Sequence, residues 1–164
     1  MTETAQPDII VVEDNPNDVE LLFHALHANG VSWNIRIVRD GAEALEYFFG
    51  SAVKECANLA GLKLILIDVK LPKVDGLEVL KQLKADPRTR PVPVVMLSTS
   101  QSEHDIMTSY QLGANSYIAK PVDFKEFAEI IRYVAGYWTK CNALPLSHLG
   151  CLFTGGGKRR QARL

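Results

Sequence analysis

The chain has 164 residues, enough for one domain with its own core and too few for a second folded one. Its 18 basic and 19 acidic residues leave a formal charge of -1, which excludes any global pull toward nucleic acid or an anionic membrane and makes whatever electrostatics it uses local. Cys56, Cys141 and Cys151 are odd in number and widely spaced, which argues against a disulfide framework or a four-ligand zinc site.

The N-terminal "MTETAQPDII" has no basic segment followed by an apolar run, and no stretch of about 18 apolar residues occurs, so a soluble cytoplasmic protein without membrane attachment is expected. The first strand is "DIIVV" (8–12), closed by Glu13-Asp14. Asn15 before Pro16 suits the cap and first turn of a helix that stops at Asn29-Gly30. On it, His24 and His27 lie three apart and read as ordinary histidines rather than metal ligands. "NIRIV" (34–38) is the second strand and "LKLILI" (62–67) the third, ending in Asp68; the next helix stops at Asp86-Pro87. "VVML" (94–97) ends in Ser98-Thr99, and the following helix opens after Ser102 and stops at Gly113. "SYIA" (116–119) leads into Lys120-Pro121 and a long last helix. Short β-branched runs alternating with helical periods, three of the strands being apolar on both faces, predict a parallel sheet covered by helices on each side.

In a doubly wound sheet the ligand crevice lies outside the carboxyl ends of the strands. Those ends carry Glu13, Asp14, Asp68, Ser98 and Lys120. Like-charged carboxylates packed together resist ionising unless a cation offsets them. Oxygen ligands without His or Cys point to Mg²⁺, which takes one or two carboxylates, waters and a phosphate oxygen. Lys120 supplies a point charge for a second phosphate oxygen and Ser98 a hydroxyl donor. Asp68 then reads as a nucleophile beside a metal, awaiting a phosphoryl group. A lone Asp at a strand end is more often a cap or turn former, but here four strands converge.

These residues resemble the receiver domains of two-component response regulators of the chemotaxis-regulator type. The resemblance rests on Glu13-Asp14, "DVKLPKVDG" after the third strand, Ser98, and Lys120-Pro121 with Tyr117 three residues earlier. The intervals of 30 residues from Asp68 to Ser98 and 22 from Ser98 to Lys120 match as well. It implies a single-domain α/β fold, a flavodoxin-like five-stranded parallel sheet in the order 2-1-3-4-5, with the receiver domain over 8–139 and a flexible basic extension over 140–164. It implies that Asp68 is the phosphoacceptor and that Asp14, Asp68 and the main-chain carbonyl of Lys70 hold Mg²⁺, with Glu13 reaching it through water. Lys120 is then expected to pair with the phosphoryl group, Ser98 to move and bond it, Tyr117 to turn inward, and the Lys120-Pro121 bond to be cis. Two departures stand out: Ser98 replaces the commoner threonine, and Thr99 stands where a smaller residue is frequent. "VEDNPNDVELLFHAL", the connection "SAVKECANLAG" and the extended last helix look like the stand-alone regulators that partner phytochrome kinases, so a sensor histidine kinase of that kind is the expected partner.

Along the last helix Phe124, Phe127, Ala128, Ile131, Val134, Ala135 and Trp138 form the expected buried stripe. Ile130, Tyr133 and Tyr137 form a second stripe that suits a partner surface or a homodimer through the fourth helix, fifth strand and fifth helix, unless Leu144, Leu146 and Leu149 cover it. "TGGGKRRQARL" at 154–164 reads as a solvated basic tail, and no DNA-reading helix pair fits after the last helix. The expected class is a signalling phosphoacceptor rather than an enzyme. A phosphohydrolase with an aspartyl nucleophile needs a second Asp where Lys70 stands, and a flavin module needs a Ser- and Gly-rich loop where Glu13-Asp14 stand.

Overall fold

The structure, a computed structural model, describes residues 6–27, 32–50, 59 and 61–145. The elements alternate as β1 (Ile9–Val12), α1 (Pro16–His27), β2 (Ile35–Val38), α2 (Gly41–Phe49), β3 (Leu64–Asp68), α3 (Gly76–Ala85), β4 (Val94–Ser98), α4 (Glu103–Gln111), β5 (Ser116–Ala119) and α5 (Phe124–Gly136), with a π-helical turn at Tyr137–Cys141. All four strand pairings are parallel, in the order β2-β1-β3-β4-β5. The expected fold class and strand order are what the chain adopts. The expected stop at Asn29-Gly30, most of "SAVKECANLAG", Cys56, and everything from Leu146 onward, including Leu149, Cys151 and the basic tail, lie outside the described residues.

The continuous apolar runs explain the layering. Because successive side chains leave a strand on opposite faces, Ile10, Val12, Ile65, Ile67, Val94 and Met96 pack one core with Phe48, Val79, Leu80 and Leu83 of α2 and α3. Ile9, Val11, Leu64, Leu66, Val95 and Leu97 pack the other with Leu22, Leu26, Phe127 and Ile131 of α1 and α5. α4 is seated differently, since its buried residues are Asp105 and Ser109, both polar.

Local signals set the helix ends. Asn15 Oδ1 accepts the Asn17 N–H at 3.0 Å at the start of α1. Asp40 caps α2 by accepting the Glu43 N–H while Glu43 accepts the Arg39 N–H, a reciprocal box. α4 ends in a Schellman turn: Gly113 has φ 97°, its N–H bonds Tyr110 O, and the Ala114 N–H bonds Ser109 O. Ser102 precedes α4 as expected, but its side chain caps nothing. Along α5, Phe127, Ile131 and Ala135 are buried and Ala128, Val134 and Trp138 pack against them, whereas Phe124 is exposed. Phe124 is the first helical residue after the loop, a turn ahead of Phe127, which reaches the core.

The loop from β3 to α3 leaves the carboxyl edge of the sheet just after Asp68 and is clamped from below. The Gly76 N–H donates to Val69 O at 3.0 Å, and a Cβ on Gly76 would run into the carbonyl oxygen of Asp68. Lys73 takes a left-handed φ of 64° and donates to Asp40 Oδ2 at 2.6 Å, tying the loop to the cap of α2. Gly76→Ala therefore forces α3 away from the end of β3 and is expected to cost about 3 kcal/mol. Urea unfolding of the two proteins checks this, and equal midpoints would show that the close approach is not required.

Candidate functional site

The carboxyl ends of the parallel strands open on one edge, and four elements deliver charge to it. The Glu13 N–H donates to Val38 O, prolonging the ladder of β1, and the side chain turns inward to 1% exposure. Asp68 ends β3, with Oδ1 fixed by the Lys70 N–H at 2.8 Å. The Lys120 N–H donates to Ser98 O at 2.7 Å, which sets the lysine at the end of β5. Its ammonium donates to Glu13 Oε2 at 2.7 Å, to Asp18 Oδ2 at 2.8 Å and to Asp68 Oδ2.

The electrostatics follow from burial. Burial pushes the Glu13 carboxyl up to about 7 and the hydrogen bond from Lys120 offsets only part of it. Burial alone would lower the Lys120 amine, but its bonds to Asp18, Asp68 and Glu13 outweigh that and hold it above its ordinary range. One ammonium against three carboxylates leaves the edge negative. The carboxylate oxygens of Glu13, Asp18 and Asp68 lie within 4.8 Å of one another. An oxygen-only donor set of this charge and spacing fits a hard divalent cation.

The structure thus brings together Glu13, Asp68 and Lys120 as the sequence led one to expect, with Ser98 fully buried beside them. Asp14 is exposed and lies outside the acidic group, because the inward turn of Glu13 leaves the next side chain facing solvent. Lys70 and Thr99 are also exposed, Lys70 reaching Asp105 at 3.8 Å. The expected cis bond at Lys120-Pro121 is corrected: no peptide bond among the described residues is cis. The trans form is the intrinsically favoured one even before proline, and with it Lys120 already reaches all three carboxylates. His24 and His27 of α1 are exposed, His24 lying 3.7 Å from Glu20, and gather no metal set.

Two participants were not foreseen. Asp18 reaches the crevice from the first turn of α1 rather than from a strand end, so reading strand ends passes over it. Ser100 links Ser98 to Tyr117: its N–H donates to Ser98 Oγ at 3.0 Å, its carbonyl accepts the Tyr117 hydroxyl at 2.9 Å, and its Oγ accepts the Ser102 N–H at 3.1 Å ahead of α4.

Known proteins resemble this chain in sequence and fold. Residues 9–132 match the Response regulator receiver domain family. The chain is 36% identical to the probable methanogenesis regulatory protein FilR2 of Methanothrix harundinacea, over 84% of this chain and 86% of that one. It is 33% identical to the response regulator Rcp1 of Synechocystis, over 88% and 99%. The phosphorylated cyanobacterial phytochrome response regulator RcpA superposes with a TM-score of 0.77 at 40% identity, covering 86% of this chain and 99% of that one. The Mn²⁺-bound form of Rcp1 superposes with a TM-score of 0.75 at 32% identity over 85% and 99%, so a divalent ion occurs in a protein of this kind.

The raised Glu13 sets a pH dependence whose sign is fixed. Between the ordinary carboxyl value of 4.5 and about 7 the folded protein binds a proton that the unfolded chain has lost, so this group stabilises below 4.5 and its contribution disappears as pH climbs to 7. In metal-free buffer the wild type is expected to lose up to about 3 kcal/mol relative to Glu13→Gln between those limits. Denaturation midpoints of both proteins at pH 5 and pH 7.5 measure it, and parallel behaviour would refute the buried, proton-holding Glu13.

Proposed function

This chain belongs to the response regulator receiver domain family, and on that premise we propose that it is the phosphoryl-accepting switch of a two-component system, charged on Asp68 by a histidine kinase of the phytochrome type. The observation that carries the reading is the bond from Lys120 to Asp68 Oδ2 while the Lys70 N–H fixes Oδ1. One carboxylate oxygen is thereby aimed across the crevice beside an ammonium that can pair with a second phosphoryl oxygen. Attack by an Asp68 oxygen forms the O–P bond as the P–N bond of the phosphohistidine breaks, and the departing electron pair stays on the imidazole, which takes up a proton. We infer that the metal would be Mg²⁺, which Asp68, Asp14 turned in from the rim and the Lys70 carbonyl would hold with Glu13 through water, and which would offset the charge of the carboxylates and of the phosphoryl oxygens.

The phytochrome-type partner is supported by the likeness to Rcp1 and to the cyanobacterial phytochrome regulator RcpA. On this reading the protein is a phosphoacceptor that assists its own charging and discharge, and not an enzyme with a separate substrate. Ser98 carries the signal away: its hydroxyl moves to the phosphoryl group, Ser100 follows through the Ser98 Oγ bond, and Tyr117 answers through the Ser100 carbonyl. Thr99, exposed at the rim, bears on how long the phosphorylated state lasts.

Output passes through a surface on α4, β5 and α5. Tyr133 is 69% and Tyr137 54% exposed beside a half-buried Ile130, and Met107 and Tyr110 of α4 are exposed as well. A two-fold dimer sets this patch against itself, apolar groups against apolar groups.

Asp68→Asn is expected to abolish labelling by a kinase phosphohistidine or by acetyl phosphate, and excess EDTA to suppress it in the wild type by more than about tenfold. Labelling that survives either change defeats the assignment. Ser98→Ala should label nearly as well as wild type yet lose the accompanying change at Tyr117, followed by NMR of the ring. For the dimer, sedimentation of wild type against a Tyr133→Glu, Tyr137→Glu double variant, with and without phosphodonor, is expected to show association in the wild type alone. A wild type that stays monomeric in both states excludes it.

A further inference from the structure

An ammonium carries three hydrogens, and Lys120 gives all three to carboxylates. Two of these acceptors, Glu13 and Asp68, belong to the chemistry proposed above. The third, Asp18, lies in the same acidic group but is given no part in that chemistry. It stands in the first turn of α1, and its side chain is 21% exposed against 1% for Glu13 and 12% for Asp68. Glu13 is anchored on its other oxygen by the Asn15 N–H at 3.1 Å, and Asp68 by the Lys70 N–H at 2.8 Å. Among the described residues the Asp18 carboxylate has only Lys120.

We propose that Asp18 is a positioning residue for Lys120, holding the ammonium toward α1 and yielding one of its N–H groups when a phosphoryl oxygen arrives, so that it governs how readily the crevice accepts a phosphodonor. The inference rests on the reading of Asp68 as phosphoacceptor. A lysine with every hydrogen engaged cannot bond a new oxygen until one partner lets go. The partner that lets go is the one with no second anchor and with water at hand to replace the lost bond. Asp18 also opposes the donor directly, as one more negative charge facing an incoming anion. Both effects raise the donor concentration needed to fill the site. Neither touches the bond-making step, because Asp18 contacts Lys120 and not the reacting oxygen.

The experiment is the initial rate of Asp68 labelling against acetyl phosphate concentration at saturating Mg²⁺, for wild type, Asp18→Asn, Asp18→Ser and Asp18→Glu. The near-isosteric Asn and the small Ser are expected to lower KM about fivefold while the maximal rate stays within about twofold, and Glu to restore the wild-type KM. Thermal unfolding of each variant keeps a folding defect apart from this split. Wild-type KM in both Asn and Ser overturns the proposal. So does a rise of more than about tenfold in Mg²⁺ half-saturation, titrated separately at fixed acetyl phosphate, with KM unchanged, which would make Asp18 a metal ligand instead. If wild type labels no better than Asp68→Asn, the phosphoacceptor reading itself falls; if wild type labels normally and the Asp18 variants match it, only the role of Asp18 does.

Discussion

The buried ammonium of Lys120 is the constraint around which the rest of the molecule is arranged. It bonds three carboxylates that lie 107, 102 and 52 residues away in the chain, so the crevice exists only when β1, α1, β3 and β5 are all in place. Removing charges from water is costly, and a buried ion cluster often adds little net stability over an apolar one of the same volume. The arrangement is better understood as specification of a site than as reinforcement of the fold. Deleting one member leaves the others desolvated without compensation, and here that applies with most force to Glu13, which is held mostly out of water.

The two cores make that precision possible. A parallel sheet with apolar residues on both faces can be covered on both, and register then aligns the strand ends without further instruction: Ile67 lies beside Val12, and Asp68 beside Leu97. The polar supports are local and sit underneath. Asn115 Oδ1 accepts both the Val94 N–H at 2.9 Å and the Lys84 ammonium at 3.1 Å, fixing the start of β4 to the turn before β5. At the other end, the Lys73 to Asp40 pair and the glycine contact of α3 hold the loop that follows Asp68.

Much of this was legible in the residues. The strands fall within two residues of where the β-branched runs put them, and Gly113, Asp86-Pro87 and Asn15-Pro16 mark helix ends for reasons of backbone conformation that travel with the residue type. The strand-end rule found Glu13, Asp68, Ser98 and Lys120 because the sheet itself lines them up. It could not find Asp18, an acid in a helical first turn, where the helix dipole alone is reason enough for one. Nor does sequence tell which of two adjacent acids turns inward, which is why Glu13 is enclosed and Asp14 is not. The Ser100 bonds escaped for a similar reason: two of the three use its backbone groups, which every residue type possesses.

The polar seat of α4 bears on timescale. Helices α1, α3 and α5 are held by fully buried aliphatic or aromatic side chains, and each must expose that surface to water before it can leave the sheet. α4 buries Ser109 fully and Asp105 nearly so, and no apolar residue to the same degree; the Ser109 hydroxyl bonds Asp105 O within the helix itself, so the departure of α4 exposes little apolar surface to water. Its amide protons are therefore expected to exchange through local openings ahead of the global unfolding that the flanking helices require. A helix so seated is expected to answer the gain or loss of a single contact at Ser100 or Ser102 by local rearrangement, on the microsecond-to-millisecond scale on which such movements run.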